Sequence, residues 1–331
     1  MRDVAERAGV SVRTASNVVN DFPHVRPSTR ARVQSAIDEL GYRPNLSARQ
    51  LKYGRSGFLT LAIPQIDSPY FGELAQKFTE AAAEHGFIAL MDVTRGALEQ
   101  EKQVMSGVQS HMVDGVVFSP LSVKAADFGS RRDTTPMVLL GERAVPSGYD
   151  HVAIDSVAAS RAMVQHLLDL GRRRIAVIGY EAFDGTASVR AQGHRDALAE
   201  AGIAVDTDLV VGVPAYTRAA GREAMEGLLA LPEPPDAVFC FNDLMAIGAL
   251  SACRARGIRV PEDVAVAGSD DIAEAAFADP PLTTIQPDLD ALTHESLRLL
   301  LGRINGTLSE GAIEAHVPWR LVLRESTVGR G

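Results

Sequence analysis

Residues 3–20 constrain the fold of this chain more than any other stretch, because they encode two short helices joined by a tight turn. Gly9 suits the left-handed conformation that ends a first helix, and Ser11 suits the capping position of a second. Apolar residues recur at helical spacing on both sides of the turn. These residues are Val4, Ala5, Ala8, Ala15, Val18 and Val19. The two helices are therefore expected to share one small core.

The second of these helices is expected to present an outer face to solvent. Val12, Arg13, Ser16 and Asn17 point away from the shared core in a regular helix. A helix of this size fits the major groove of DNA, and the tight turn is typical of a DNA-reading helix-turn-helix. The alternative is an ordinary helical hairpin, which a short Ala-Gly-Val-Ser sequence does not exclude.

The opening of the chain resembles the lactose-repressor/galactose-repressor family of transcriptional regulators. The resemblance rests on Asp3-Val4-Ala5, Ala8-Gly9-Val10-Ser11, Thr14, Ser16 and Val18-Val19-Asn20. It implies DNA contacts by Val12, Arg13, Thr14, Ser16, Asn17 and His24. Asn17 stands where the family usually has arginine, so an operator half-site other than the commonest one is expected. Met1 leaves no room for the usual capping Thr, so we expect the true start a few residues upstream.

A third helix and a short hinge follow. Pro27 suits the first position of a helix that ends at Gly41. The sequence Pro-Asn-Leu-Ser-Ala-Arg-Gln-Leu at 44–51 is, by pattern alone, either a basic linker or a helix of barely two turns. Its similarity to the family's hinge helix implies DNA contacts by Asn45, Ala48 and Leu51, with Leu51 in the minor groove. We assign residues 1–44 to a DNA-binding domain and residues 45–57 to the hinge helix and linker.

Charge is distributed unevenly along the 331 residues. The net charge is −9, yet residues 1–58 carry ten basic and five acidic side chains, so the remainder carries −14. A basic head on an acidic body is typical of a protein that binds phosphates locally.

No apolar run has the length of a membrane span and no secretory leader is visible, so we expect a cytoplasmic protein without a membrane partner. Cys240 and Cys253 lack a partner motif and are predicted to be buried.

From Phe58 onward, short apolar runs alternate with helical stretches, which is the pattern of parallel, doubly wound sheets. Strands are predicted near 58–63, 87–93, 114–118, 136–140, 174–178, 209–213, 236–240 and 263–267. Helices are predicted near 70–85, 97–111, 156–170, 189–201, 218–230, 243–256 and 288–305. The pattern repeats once, so two similar α/β halves are expected.

The family resemblance covers the whole chain and fixes the expected architecture. It implies an all-α N-terminal helix-turn-helix head plus an α/β two-lobed periplasmic-binding-protein-like (type I) body with doubly wound parallel sheets. Residues 58–331 form the expected ligand-binding and dimerisation domain, and the chain crosses back near Ile285. Lobe 1 is predicted at about 58–154 and 286–317, and lobe 2 at about 155–285 and 318–331.

Ligands of such sheets bind beyond the carboxyl ends of the strands, in the cleft between the lobes. Arg190 matches a family pattern, Arg-x-x-Gly, which implies a guanidinium that holds a sugar-type ligand. Asp270 matches a family acid that accepts from ligand hydroxyls. Asn242, which follows a strand, is either a ligand contact or a helix cap. The other expected contacts are Ser68, Tyr70, Phe71, Asp155, Tyr216 and Leu289. The implied effector is a small sugar or related polyol.

Two other classes of protein are weighed against a regulator: a cytoplasmic solute-binding protein and a sugar-processing enzyme, each with an unrelated helical head. The sequence has no Gly-x-Gly-x-x-Gly after a strand, no phosphate-binding loop and no metal-ligand spacing among its eight histidines. We therefore predict no enzyme activity, cofactor or metal.

The expected protein is a ligand-responsive repressor that binds a palindromic operator in double-stranded DNA as a homodimer. Because only four residues follow the family's terminal motif at Thr327, a dimer is expected rather than a tetramer.

Overall fold

The structure is a computed structural model that describes residues 1–19, 22–42, 55–107, 112–129, 131–142, 148–180, 185–308 and 311–329. The chain divides into two units, residues 1–56 and 57–331, which we call the head and the body. The predicted hinge contacts Asn45, Ala48 and Leu51 lie outside the described residues. None of the helices in the described ranges is both long and apolar enough to cross a membrane.

The described part of the head consists of three helices, α1 (Arg2–Arg7), α2 (Val12–Val19) and α3 (Pro27–Leu40). They enclose one small core of short apolar side chains. Its buried members are Val4, Ala5, Ala8, Ala15, Val18, Val33 and Ala36. Because most of these side chains are small, the helices approach one another closely. The shared core predicted from the sequence is confirmed.

The turn between α1 and α2 has the predicted geometry. Gly9 has φ of +61°, a conformation that L side chains rarely adopt. The Oγ atom of Ser11 accepts a hydrogen bond from the backbone N–H of Thr14 at 3.0 Å, which caps α2. Gly41 ends α3 in the left-handed conformation, with φ of +57°. The head is therefore a helix-turn-helix with a third supporting helix.

The described part of the body contains two sheets, and the first has six parallel strands in the order β11-β5-β4-β3-β1-β2. The strands are β1 (Phe58–Ile63), β2 (Ile88–Val93), β3 (Gly115–Phe118), β4 (Met137–Leu140), β5 (Asp150–Ala153) and β11 (Glu314–His316). The helices of this half are α4 (Pro69–Glu84), α5 (Leu98–Ser106), α6 (Ala125–Phe128) and α12 (Leu289–Ile304). We call this half lobe 1.

The second sheet, as far as it is described, has the order β12-β10-β9-β8-β6-β7, and only β12 runs antiparallel to its neighbour. The strands are β6 (Ile175–Ile178), β7 (Val210–Val211), β8 (Ala237–Cys240), β9 (Ala265–Ser269), β10 (Thr283–Pro287) and β12 (Trp319–Val322). The helices are α7 (Ser156–Asp169), α8 (Thr186–Glu200), α9 (Arg218–Leu228), α10 (Asp243–Ala255), α11 (Ala273–Phe277) and α13 (Glu325–Val328). We call this half lobe 2.

The central strands of both sheets are buried along their whole length, as parallel sheets covered on both faces require. The chain passes from lobe 1 to lobe 2 after Ala153, returns after Pro287 and crosses again after His316. The return therefore lies slightly beyond Ile285, which is a residue of β10. Cys240 and Cys253 are free and buried, as predicted.

Most predicted elements agree with the structure to within two or three residues. The predicted strand at 209–213 is reduced to Val210–Val211 after a short 3-10 turn at Thr207–Leu209. The predicted strand at 263–267 is shifted to Ala265–Ser269. The predicted helix at 97–111 ends at Ser106, and residues 108–111 lie outside the described ranges. These differences are all at element ends, where local sequence is least informative.

Candidate effector pocket and DNA-reading surface

A cavity of about 120 Å³ lies between the two lobes of the body. For comparison, a cavity of about 150 Å³ in another protein holds one benzene ring. Lobe 1 lines it with segments that follow β1, β3 and β4, and lobe 2 lines it with α8 and with segments that follow β7, β8 and β9. The polar lining residues are Gln65, Ser68, Tyr70, Ser119, Glu142, Thr186, Arg190, Tyr216, Asn242 and Asp270. The cavity therefore lies where ligands of doubly wound sheets bind.

Arg190 lies in the second turn of α8, which begins at Thr186 and not near residue 189 as predicted. Gly193 follows three residues later and allows α8 to pack closely on α7. A Cβ atom at Gly193 would lie 2.3 Å from the carbonyl oxygen of Val157, which no side chain tolerates. The glycine of the Arg-x-x-Gly pattern is therefore required sterically, because only a residue without a side chain lets α8, which carries Arg190, pack this closely against α7.

The guanidinium of Arg190 is already engaged within the protein. Its Nε donates to both carboxylate oxygens of Glu142, at 2.9 and 3.1 Å. Its Nη2 also donates to Glu142, and its Nη1 donates to the carbonyl oxygen of Phe241. The side chains of Arg190 and Glu142 are only 10% and 9% exposed. Because Glu142 follows β4 in lobe 1, this buried ion pair joins the two lobes across the cavity.

Asp270 faces the same guanidinium from the end of β9. Its Oδ1 lies 4.0 Å from Nη2 of Arg190, and its backbone has φ of +115°, which few residues other than glycine adopt. Burial raises the pKa of Asp270 to about 7, against the opposing effect of Arg190 and with a further increase from Glu142. Near neutral pH this carboxyl group therefore changes between a hydrogen-bond donor and a pure acceptor.

Aromatic side chains form part of the cavity wall. Tyr70 packs edge-to-face on Phe71, with 5.0 Å between the ring centroids. The hydroxyl of Tyr216 donates to the carbonyl oxygen of Gly179 at 2.8 Å. Burial raises the pKa of both tyrosines, so that they stay neutral. Asn242 lines the cavity and also caps α10, because its Oδ1 accepts from the N–H of Met245 at 2.9 Å.

Two fully buried carboxylates hold the loops of the cavity in place. Glu101 on α5 accepts the backbone N–H groups of Leu121, Ser122 and Val123, at 2.7 to 2.8 Å. Asp243 accepts from the N–H of Ile272 at 3.0 Å and from a threonine hydroxyl of β10 at 2.6 Å. Each carboxylate fixes a loop whose first residues line the cavity, and neither is among the described lining residues.

Asp155 and Leu289, both predicted as effector contacts, do not line this cavity. Asp155 is exposed and caps α7, with its carboxylate accepting from the N–H of Ala158 at 2.9 Å. Leu289 is buried in the core of lobe 1 and borders a separate cavity of about 460 Å³ that also includes Asp270. Both residues follow interlobe crossings, where the local sequence does not reveal which way a side chain points. Ser68, Tyr70, Phe71, Arg190, Tyr216, Asn242 and Asp270 do line the cavity.

Glu142 is the main lining residue that the sequence interpretation missed. It follows the predicted strand at 136–140, so the rule that selected polar residues after other strands would also have selected Glu142. Its partner Arg190 lies 48 residues away and in the other lobe. Their pairing is therefore visible only in the folded chain.

The pKa of Asp270 leads to a testable pH dependence. Between about pH 4 and about pH 7, Asp270 is protonated in the folded protein but ionised in the unfolded chain, where its pKa is 3.8. The contribution of Asp270 to the free energy of unfolding should therefore fall as the pH rises from about 4 to about 7. Asp270→Asn should remove this contribution. Melting temperatures of both proteins from about pH 5 to about pH 8 test the prediction, and parallel curves would contradict it.

In the head, the predicted DNA-contacting residues lie on the outer side of α2 or near it. Val12 is 46% exposed, Arg13 is exposed, and Ser16 and Asn17 are half-buried. The hydroxyl of Thr14 lies 2.8 Å from that of Ser11. His24 is exposed in the loop before α3, with its ring 5.6 Å from that of Phe22, edge-to-face. Val12 and Arg13 are thus the most exposed of the predicted contacts on α2, and His24 is exposed in the loop that precedes α3.

Comparison with known proteins agrees with this architecture. Residues 1–45 match the bacterial regulatory proteins of the lacI family, and residues 164–327 match the periplasmic binding protein-like domain. The chain is 34% identical to the HTH-type transcriptional repressor CytR of Escherichia coli strain K12, over 99% of this chain and 96% of CytR.

Solved structures give the same answer. The complex of the transcriptional regulator CelR with cellobiose is 32% identical and has a TM-score of 0.73, covering 98% of both chains. The Lac repressor dimer bound to operator and the anti-inducer ONPF is 27% identical and has a TM-score of 0.86, again covering 98% of both chains.

A helix-turn-helix head joined to a two-lobed body with an interlobe cavity defines a class of protein, the DNA-binding transcriptional regulators with a periplasmic-binding-protein-like body. The chain belongs to the lacI family of bacterial regulatory proteins. It is a regulator and not an enzyme, as the sequence predicted.

Proposed function

We propose that this chain is a transcriptional repressor that binds a palindromic operator as a homodimer and responds to a small sugar-like effector. The observation that carries the proposal is the interlobe cavity, in which Glu142 from lobe 1 meets Arg190 and Asp270 from lobe 2. A ligand in this cavity contacts both lobes, so its affinity depends on their arrangement. Such a ligand shifts the populations of the lobe arrangements that differ in DNA affinity.

The chemistry of the cavity supports a polyhydroxylated effector. A guanidinium and a carboxylate side by side bind vicinal hydroxyl groups, because one donates and the other accepts. The rings of Tyr70, Phe71 and Tyr216 offer apolar surface to the face of a sugar or a related ring. The volume, about 120 Å³, is on the scale of a single ring. The CelR relative is in complex with cellobiose, which is of the same chemical class.

Two exposed apolar surfaces of the body support a homodimer. Phe277 on α11 is 88% exposed and borders a groove that includes Ile247. The edge strand β2 exposes Ile88, Leu90, Met91 and Val93, and Ile88 alone is 59% exposed. An apolar edge strand without a covering partner invites association. A two-fold dimer buries such surfaces twice and pairs two heads, as a palindromic operator requires.

The operator is the first experimental test. Random double-stranded DNA is selected on the full-length protein, and the enriched sequences are aligned. The proposal predicts two inverted half-sites with a fixed centre-to-centre spacing. Enrichment of single half-sites, or of no common sequence, would contradict it.

The reading of bases by α2 is tested with Asn17→Ala. Asparagine is suited to bidentate contact with adenine, so the variant should lose about 1–3 kcal/mol of discrimination at one base pair per half-site. Binding to random DNA should be retained, since phosphate contacts supply it. Gln34→Ala on α3 is the control, because its side chain bonds within the helix to Asp38 at 2.9 Å. Equal weakening on operator and random DNA, measured by fluorescence anisotropy, would exclude the role of Asn17.

A further inference from the structure

Glu142 occupies the part of Arg190 that a ligand would need. The Nε–Nη2 edge of a guanidinium is the fork that binds carboxylates and other planar acceptors with two parallel hydrogen bonds. In this structure that edge is taken by Glu142, and Nη1 donates to the carbonyl oxygen of Phe241. A ligand that uses the fork of Arg190 must therefore displace the carboxylate of Glu142.

The displaced carboxylate restricts what the ligand can be. Glu142 is 9% exposed, so away from Arg190 it remains a buried charge that needs hydrogen-bond donors. A ligand with hydroxyl or amino groups supplies donors to Glu142 while its oxygen atoms accept from Arg190. A phosphate or carboxylate group supplies acceptors only, and it adds a negative charge beside Glu142 and Asp270.

The charges that line the cavity also disfavour an anionic ligand. Among the described lining residues, the charged side chains are Arg190, Glu142 and Asp270, because burial keeps Tyr70 and Tyr216 neutral. Their sum is between zero and −1, depending on whether Asp270 carries a proton. No cation in this described lining is left without a carboxylate partner. An anionic ligand would therefore be bound against the net charge of the wall.

We propose that Glu142 determines the chemical class of the ligand, by excluding anions and admitting neutral or cationic molecules that carry hydroxyl or amino donors. Naming that ligand as the effector rests on the proposed function. The exclusion of anions does not depend on the proposed function, because it rests on the pairing of Glu142 with Arg190 and on the net charge of the cavity wall.

Inorganic sulfate is the probe that tests the exclusion directly. The full-length wild-type protein, Glu142→Gln, Glu142→Asp and the double variant Glu142→Gln/Arg190→Gln are melted in sodium sulfate and in sodium chloride of equal ionic strength. Glu142→Gln removes the negative charge that competes for the guanidinium, so its apparent Kd for sulfate should be at least about tenfold lower than that of the wild type. Glu142→Asp keeps the charge and should behave like the wild type, and the double variant should lose the gain.

Two outcomes of the sulfate experiment would overturn the proposal. One is an equal sulfate response in wild type and Glu142→Gln, and the other is a gain that survives removal of Arg190. If Glu142→Gln has no cooperative melting transition, Glu142→Ala is titrated in its place with the same expectation.

Matched sugars separate this inference from the proposed function. Glucose and ribose are compared with glucose 6-phosphate and ribose 5-phosphate, in melting and in operator binding by the wild type. Stronger stabilisation of the wild type by a phosphate than by its neutral partner overturns the role of Glu142, even where operator binding responds to it. A sulfate result as predicted, in a protein that does not bind operator DNA, leaves Glu142 as the anion filter and refutes the proposed function.

Discussion

Replacing Phe277 by Asp is expected to dissociate the proposed homodimer and to weaken operator binding strongly. Burying one phenylalanine side chain contributes about 1.5–3 kcal/mol, and a two-fold interface buries two of them. The dimer dissociation constant should therefore rise at least about a hundredfold, and more where the new carboxylate is forced against an apolar partner. A monomer contacts a single half-site, so operator affinity should fall with the dimer. Sedimentation velocity and operator anisotropy at one protein concentration measure both effects.

The control for Phe277→Asp is Val205→Asp, which introduces the same charge at another exposed apolar residue of lobe 2. This variant should remain dimeric and keep its operator affinity. If Phe277→Asp also remains a dimer with unchanged affinity, then the groove beside α11 does not carry the interface. The exposed strand β2 would be the next surface to substitute.

Arg190→Ala is expected to make the regulator unresponsive to its effector. Two charge-assisted hydrogen bonds contribute about 3 kcal/mol in total, so the effector Kd should rise at least about a hundredfold. The variant also leaves Glu142 and Asp270 as buried carboxylates without their cation, which should lower the melting temperature of the ligand-free protein. A screen of sugars, polyols and nucleosides by melting temperature, on the full-length wild type, first supplies the effector.

Arg195→Ala is the matched control on the same helix, because its guanidinium bonds only to exposed Gln192 among the described contacts, at 2.8 Å. It should keep both the melting temperature and the effector response. A full effector response in Arg190→Ala would show that the ligand binds elsewhere in the body.

The sequence predicted correctly those helices, strands and turns that neighbouring residues alone determine. The run at Ala237–Cys240 is apolar throughout and forms a buried strand, and Gly9 and Ser11 form the turn that their chemistry favours. The strand at Asp150–Ala153 was missed because its first residues are polar. Asp150 is buried there because distant partners satisfy its carboxylate: Arg303 pairs with it at 2.7 and 2.8 Å, and the backbone N–H of Ile313 donates to it at 2.9 Å. No local pattern contains these partners.

In the candidate site as well, the sequence predicted single residues but not the contacts between distant parts of the chain. Family motifs identified Arg190 and Asp270, whose side chains lie 4.0 Å apart in the folded chain. Position after a strand left Asn242 as either a ligand contact or a helix cap. The structure shows the cap, and the same residue also lines the cavity. Asp155, also predicted as an effector contact, caps α7 and does not line the cavity, because a position just before a helix suits a cap as well as a ligand contact. The pairing of Arg190 with Glu142 depends on how the two lobes meet, which the sequence does not encode locally.

The proposed function requires that a ligand in the interlobe cavity changes the affinity of the protein for its operator. The decisive measurement is the anisotropy of labelled operator, titrated with full-length protein with and without saturating effector. We predict that the effector changes the operator Kd of the wild type at least about fivefold and leaves that of Arg190→Ala unchanged. An effector that stabilises the wild type against melting but leaves its operator Kd unchanged would refute the proposed function.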